Sequence, residues 1–142
     1  MAMVMLFLAV LLQAAPAAPA KAISMRTIDK GLQSNVEDTK LVTVRTAAEW
    51  TKLWLQHSPD RPQPAVDFSR EMVVGVFLGS RPTAGYDVEI VGAREEEGGL
   101  VVQYRETAPA RGAMTAQVLV LPFQIAAVPA RAGAVRFEKV KG

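Results

Sequence analysis

Cysteine is absent from the 142 residues, and histidine occurs once, at His57. Without cysteine there is no disulfide, no thiolate metal site and no thiol to carry a lipid, so the fold must be held by its core alone. With one histidine, a His-based metal site and a Ser-His-Asp relay would both hang on a residue at the end of a predicted helix. An imidazole there is better explained as a cap or edge-of-core residue favoured by the helix dipole. An excess of either charge is also missing: 16 Lys and Arg stand against 14 Asp and Glu, which leaves +2. The pI near 9.2 reflects that slight surplus. No dense basic stretch interleaves with aromatics, and nucleic acid is not expected as a partner. Long apolar runs are lacking too. The run Met3 to Leu12 has ten residues, short of the ~20 that a helix needs to cross a bilayer.

Small residues succeed that run. Gln13-Ala14-Ala15-Pro16-Ala17-Ala18-Pro19-Ala20 offers A-x-A cleavage sites at Ala15 to Ala17 and at Ala18 to Ala20, so residues 1–20 read as a secretory signal peptide whose positive n-region is only the terminal amine. The expected product is exported, periplasmic or extracellular, with no stable membrane anchor after cleavage. About 120 residues then remain, enough for one domain with a single core.

Residues 21–40 are polar and weakly patterned and read as a tether or early strand; residues 41–142 read as one globular domain. Leu41 to Arg45 alternates as a short strand. Thr46-Ala47-Ala48-Glu49 fits a capping box, in which the Thr hydroxyl accepts from the third helical amide and the Glu returns to the cap. The helix it opens carries Trp50, Leu53, Trp54 and His57 on one face. The proline-rich Ser58 to Pro64 stops it. The period then changes from 3.6 to 2. Met72 to Leu78, apolar on both faces, reads as a central strand, followed by strands at Tyr86 to Val91, Leu100 to Arg105, Thr115 to Leu121, Phe123 to Val128 and Ala134 to Val140. Short Gly- and Pro-containing separators favour antiparallel neighbours. The fold class expected is α+β, mainly β: an antiparallel sheet, closed as a sandwich or partial barrel, with one packed N-terminal helix.

The residues present no catalytic constellation. Asp87 and Glu89 share a strand face, where a solvated surface explains them more simply than a cation site or a carboxylate pair. Trp50 and Trp54, spaced along a helix with Leu53, fit core packing better than an aromatic platform. The glycines of Gly79 to Gly85 lack the Gly-Lys-Ser/Thr ending of a phosphate loop. No catalytic residue, metal site or cofactor is expected. The most distinctive stretch is Arg81-Pro82-Thr83-Ala84-Gly85-Tyr86-Asp87-Val88, read as a shaped turn between two paired strands, with Arg81 and Thr83 as polar side chains at its tip. Exposed loops on a rigid sheet are where binding resides, which makes Arg81, Pro82, Thr83, Gly85 and Tyr86 the candidate partner-binding residues.

Trp50-x-x-x-Trp54, the segment Val66 to Val74, Gly79 to Ile90 with its Pro-Thr-x-Gly-Tyr core, Arg105-Glu106-Thr107-Ala108-Pro109, Gln117-Val118-Leu119 and Pro122-Phe123-Gln124-Ile125 form a series. In order and spacing it resembles the PrcB family, named for a protease-complex subunit, from about Glu49 to about Phe137. The resemblance implies a small, non-enzymatic exported bacterial protein that associates with a secreted protease and stabilises it. Lipid-anchored members carry a lipobox cysteine that this chain lacks, and Leu121 precedes Pro122 where the family pattern favours a nearby Thr. The Arg81 to Tyr86 loop is also similar to the Asn-Pro-Thr-x-Gly-Phe/Tyr loop of chagasin-like cysteine-protease inhibitors, with Arg in place of Asn. That second resemblance implies the alternative role of protease inhibitor.

Overall fold

The computed structural model describes residues 22–141; the signal-peptide reading of residues 1–20 lies outside them. Among the described residues seven strands and one helix occur in the order β1 (Arg26–Gly31), β2 (Lys40–Val44), α1 (Ala47–His57), β3 (Glu71–Phe77), β4 (Asp87–Glu96), β5 (Gly99–Thr107), β6 (Phe123–Pro129) and β7 (Val135–Val140). They form two sheets, one ordered β1-β6-β3-β2 and the other β4-β5-β7. The molecule is a three-layer stack of helix, four-stranded sheet and three-stranded sheet, and neither sheet closes into a barrel.

The stacking explains why β3 is apolar on both faces. Met72, Val74, Val76 and Leu78 point to the second sheet and pack with Val88, Ile90, Leu100 and Val102. Val73 and Phe77 point the other way, to Trp50, Leu53 and Trp54 of α1. β6 alternates in the same sense, with Ala126 and Val128 on one side and Phe123 and Ile125 on the other. A period-2 strand between two apolar layers has no solvated face, so every side chain is selected for burial. The buried polar exception is Gln124, whose Oε1 accepts from Ile90 N at 2.6 Å while its Nε2 donates to Thr27 Oγ1 at 3.0 Å. It thereby satisfies a backbone amide beside the register shift of β4 between Ile90 and Gly92.

The helix starts as its sequence predicts. Glu49 N donates to Thr46 Oγ1 at 3.2 Å. The returning Glu49 carboxylate accepts from the Thr46 hydroxyl at 3.0 Å rather than from the cap amide. Trp50, Leu53, Trp54 and His57 are its buried residues. The proline-rich loop wraps over them because its carbonyls find donors in the two indoles: Trp50 Nε1 donates to Pro64 O at 2.8 Å and Trp54 Nε1 to Arg61 O at 2.9 Å.

The early strand read in residues 21–40 is the edge strand β1, paired with β6. Three details differ from the sequence expectation. Residues 115–121 form no strand; only Val120 makes an isolated bridge, with Arg81. β7 runs parallel to β5, because the chain crosses to the other sheet as β6 before it returns. Strands β3 and β4 are not a hairpin but belong to different sheets, so the segment between them is a crossover from one layer to the other.

Candidate functional site at the loop end of the sandwich

The crossover is held from three directions. Gly79 has φ 78°, and a Cβ there would lie 2.7 Å from Glu37 O, so only glycine lets the chain pass against the 37–39 backbone. Ser80 N donates to Glu37 O at 3.0 Å, Arg81 and Val120 exchange backbone bonds of 2.8 and 3.0 Å, and Ala84 N donates to Ala116 O at 3.1 Å. Gly85, at φ 97°, lies under Pro109, whose Cγ would be 2.8 Å from an added Cβ.

The side chains expected at the tip separate into two groups. Arg81 is not free: its Nε and Nη2 donate to Glu106 Oε1 at 3.2 and 3.1 Å, and Lys139 Nζ donates to Glu106 Oε2 at 3.0 Å. Burial pushes the Glu106 carboxyl up, but the hydrogen bonds from Lys139 and Arg81 outweigh it and hold it below the usual carboxylate range. Arg81 therefore ties the crossover to β5 instead of presenting a cation. Pro82 and Gly85 are exposed, and Thr83 and Tyr86 are half-buried. Thr83 Oγ1 donates to Ala84 O at 3.0 Å.

The neighbouring residues 113–119, most of which the sequence pattern assigns to a strand, are surface. Met114 is 102% exposed, Leu119 56% and Val118 48%. Their apolar alternation is a strand signal, but among the described residues no partner strand reaches them. Together with the crossover they make the apolar, non-ionic part of this end. Beside them lies a groove of about 740 Å³ lined by Leu119, Leu121, Ser34, Glu37, Asp38 and Ser80.

Beneath the 32–39 strap lies a cluster that sequence reasoning missed. His57 Nδ1 is 2.7 Å from Ser34 Oγ, and His57 Nε2 is 2.8 Å from Asp29 Oδ2. Arg61 closes the group with an ion pair to Asp29, and a cleft of about 490 Å³ opens over it. Burial pushes the imidazole below its ordinary value despite the Asp29 carboxylate, so His57 is a neutral core residue and not a cation at the helix end. Burial pushes Asp29 up, but the hydrogen bonds from Arg61 and His57 outweigh it and keep the carboxyl low. With Asp29 ionised, Nε2 carries the proton and Nδ1 accepts from the Ser34 hydroxyl.

That polarity matches a base-activated serine, but the surroundings do not. The His57 side chain is 0% exposed and wedged against Phe123 and Phe77, at centroid distances of 4.3 and 5.6 Å. Ser34 Oγ also accepts from Val36 N at 3.1 Å, which engages the lone pair a nucleophile would use. The chain of bonds is a brace that fixes the strap and the helix end to the sheet. Asn35 N donating to His57 O at 2.9 Å adds to it. Asp29, Ser34 and Arg61 carry no local pattern that would mark them; the single histidine at the end of an apolar helical stripe was the one available signal.

No curated protein and no solved structure matches the chain. The stretch that runs from β3 to the end of β6, with the crossover, Glu106 and the 113–119 segment inside it, matches the family described as PrcB C-terminal over residues 72–129. Residues 72–129 of this chain are therefore a PrcB C-terminal domain.

Proposed function

We propose that the protein is a non-enzymatic exported accessory that docks on a secreted or cell-envelope protease and stabilises it, using the loop end of the sandwich. The family supports protease association as the general role. The observation that carries the docking surface is the fixed crossover Arg81 to Tyr86 joined to the exposed Met114, Val118 and Leu119. A rigid, apolar, non-ionic loop end is suited to binding a protein without acting on it. Binding the folded protease and not its unfolded form stabilises it by mass action. The crossover is bonded to three other segments and is no free-standing wedge, which supports the stabiliser over the chagasin-like inhibitor.

Thr83→Ala combined with Met114→Ser leaves the core and the Arg81–Glu106 pair intact. The pair of changes is expected to leave the melting transition in place and to weaken capture of the protease. Unchanged capture removes the crossover from the contact surface. Export is tested separately by mass spectrometry of protein from its host: a mature N-terminus between Ala18 and Ser24 is expected, and recovery as intact cytoplasmic chain would contradict it.

A further inference from the structure

The groove beside the docking surface has a chemistry of its own. Its lining combines Leu119, 56% exposed, and the buried Leu121 with the carboxylates of Glu37 and Asp38. Among the described residues no Lys or Arg lines it. The cations that flank these segments in sequence are turned elsewhere, Lys40 Nζ to Gln56 Oε1 at 3.0 Å and Arg81 to Glu106. Among the described residues Glu37 and Asp38 enter no ion pair, so their charge is not neutralised within the chain. On a chain of net charge +2 this is a local reversal of sign beside exposed leucine.

We infer that the groove receives an extended segment of the protein partner in which basic and apolar side chains alternate. In such a segment alternate side chains point to opposite sides. One set meets Leu119 and the other the Glu37 and Asp38 carboxylates. The floor is fixed from below: the Ser34–His57–Asp29 brace holds the strap, and Leu121 N donates to Leu32 O at 2.8 Å. The site is preformed, so little ordering is lost on binding. The identity of the partner as a protease rests on the docking reading above, but the chemistry of the groove does not.

A fluorescein-labelled hexapeptide of alternating Lys and Leu, with its alternating Glu and Leu counterpart, probes the groove on the full-length protein by fluorescence anisotropy. The Lys/Leu peptide is expected to bind and the Glu/Leu peptide not. Glu37→Gln with Asp38→Asn, and separately Leu119→Ser, are expected to weaken binding by about tenfold, while Glu89→Gln on the outer face of β4 leaves it unchanged. Melting curves establish that each variant is folded. Equal binding of the two peptides, equal binding by parent and groove variants, or no binding of the Lys/Leu peptide would overturn the inference. So would a concentration-dependent dimer abolished by Leu119→Ser, which would assign the groove to a second copy. The readings separate in protease capture. Capture that Glu37→Gln with Asp38→Asn does not weaken overturns the groove and leaves the docking surface. Peptide binding without any protease capture upholds the groove and overturns the docking role.

Discussion

Replacing His57 by phenylalanine tests the brace, because it keeps an aromatic ring among Trp54, Phe77 and Phe123 while removing both polar bonds. The Ser34 hydroxyl loses its acceptor, and a neutral hydrogen bond of that kind is worth ~0.5 to 1.5 kcal/mol. Asp29 loses the Nε2 donor, a bond to a charged group worth ~1.5 to 3 kcal/mol, although Arg61 remains beside it. The expected loss is therefore roughly 2 to 4.5 kcal/mol near pH 7.5, a large share of the ~5 to 15 kcal/mol typical of a domain. The pH dependence is more diagnostic. Because the folded state holds His57 below its ordinary value of 6.5, the unfolded chain takes up the proton first as the pH falls. Stability is level above that value, declines as the pH drops from it towards the folded value, and stays reduced below. The slope for one group cannot exceed ~1.4 kcal/mol per pH unit. With one histidine in the chain and ordinary carboxylates titrating lower, the interval from about pH 7.5 to about pH 5.5 isolates it. Urea unfolding followed by Trp fluorescence at several pH values is the assay. The parent should lose stability on acidification in that interval, and the His57→Phe protein should be weaker at pH 7.5 and flat. A flat parent, or the same slope in both proteins, would refute the buried neutral imidazole.

Gly79 and Gly98 share a left-handed conformation, at φ 78° and 77°, but only Gly79 faces backbone, while Gly98 faces open space. Gly98→Ala should cost about 1 to 2 kcal/mol for the strained conformation, and Gly79→Ala at least ~1 kcal/mol more for the clash; equal losses in chemical denaturation would contradict the strap's position. Trp54→Ala should cost ~3 to 5 kcal/mol, since the ring is 3% exposed and its Nε1 bonds Arg61 O. A loss below ~0.5 kcal/mol, typical of surface sites, would mean that the ring is not in the core. Glu106→Gln should destabilise the crossover, because the carboxylate holds both Arg81 and Lys139. Its Tm deficit should shrink as the pH falls through the depressed pKa of the parent's Glu106, where the parent loses the same charge; a constant deficit would contradict the ion pairs.

The helix and the doubly buried strand were legible because their signals are local. A capping residue, a 3.6-residue apolar stripe and a proline stop are all contained within Thr46 to Pro64, and a short apolar run that includes Val73, Val74 and Val76 fits a strand covered on both sides. One of the short glycine-containing separators is the tight hairpin in which Glu97 and Gly98, at positive φ of 46° and 77°, join β4 to β5; that β4 runs on to Glu96 was not legible. What failed depends on which strands meet. Thr115 to Leu121 alternates like a strand but lacks a neighbour to pair with, and the Gly79 to Tyr86 segment looks like a hairpin turn although its strands separate into different layers. The His57 brace was invisible because Ser34 and Asp29 lie 23 and 28 residues away in sequence. Asp29 sits just past a register shift in β1 that no composition rule marks. Arg81, expected on the contact surface, has its charge spent on Glu106.

The central claim is that the loop end docks on an exported protease, and quantitative capture tests it most directly. The purified protein, immobilised and exposed to the envelope and medium fractions of its own host, should retain a protease identified by mass spectrometry and active on release. The Thr83→Ala, Met114→Ser protein, melting at the parent's temperature, should retain about tenfold less. Retention of no protease by the parent, or of equal amounts by both proteins, would contradict the account.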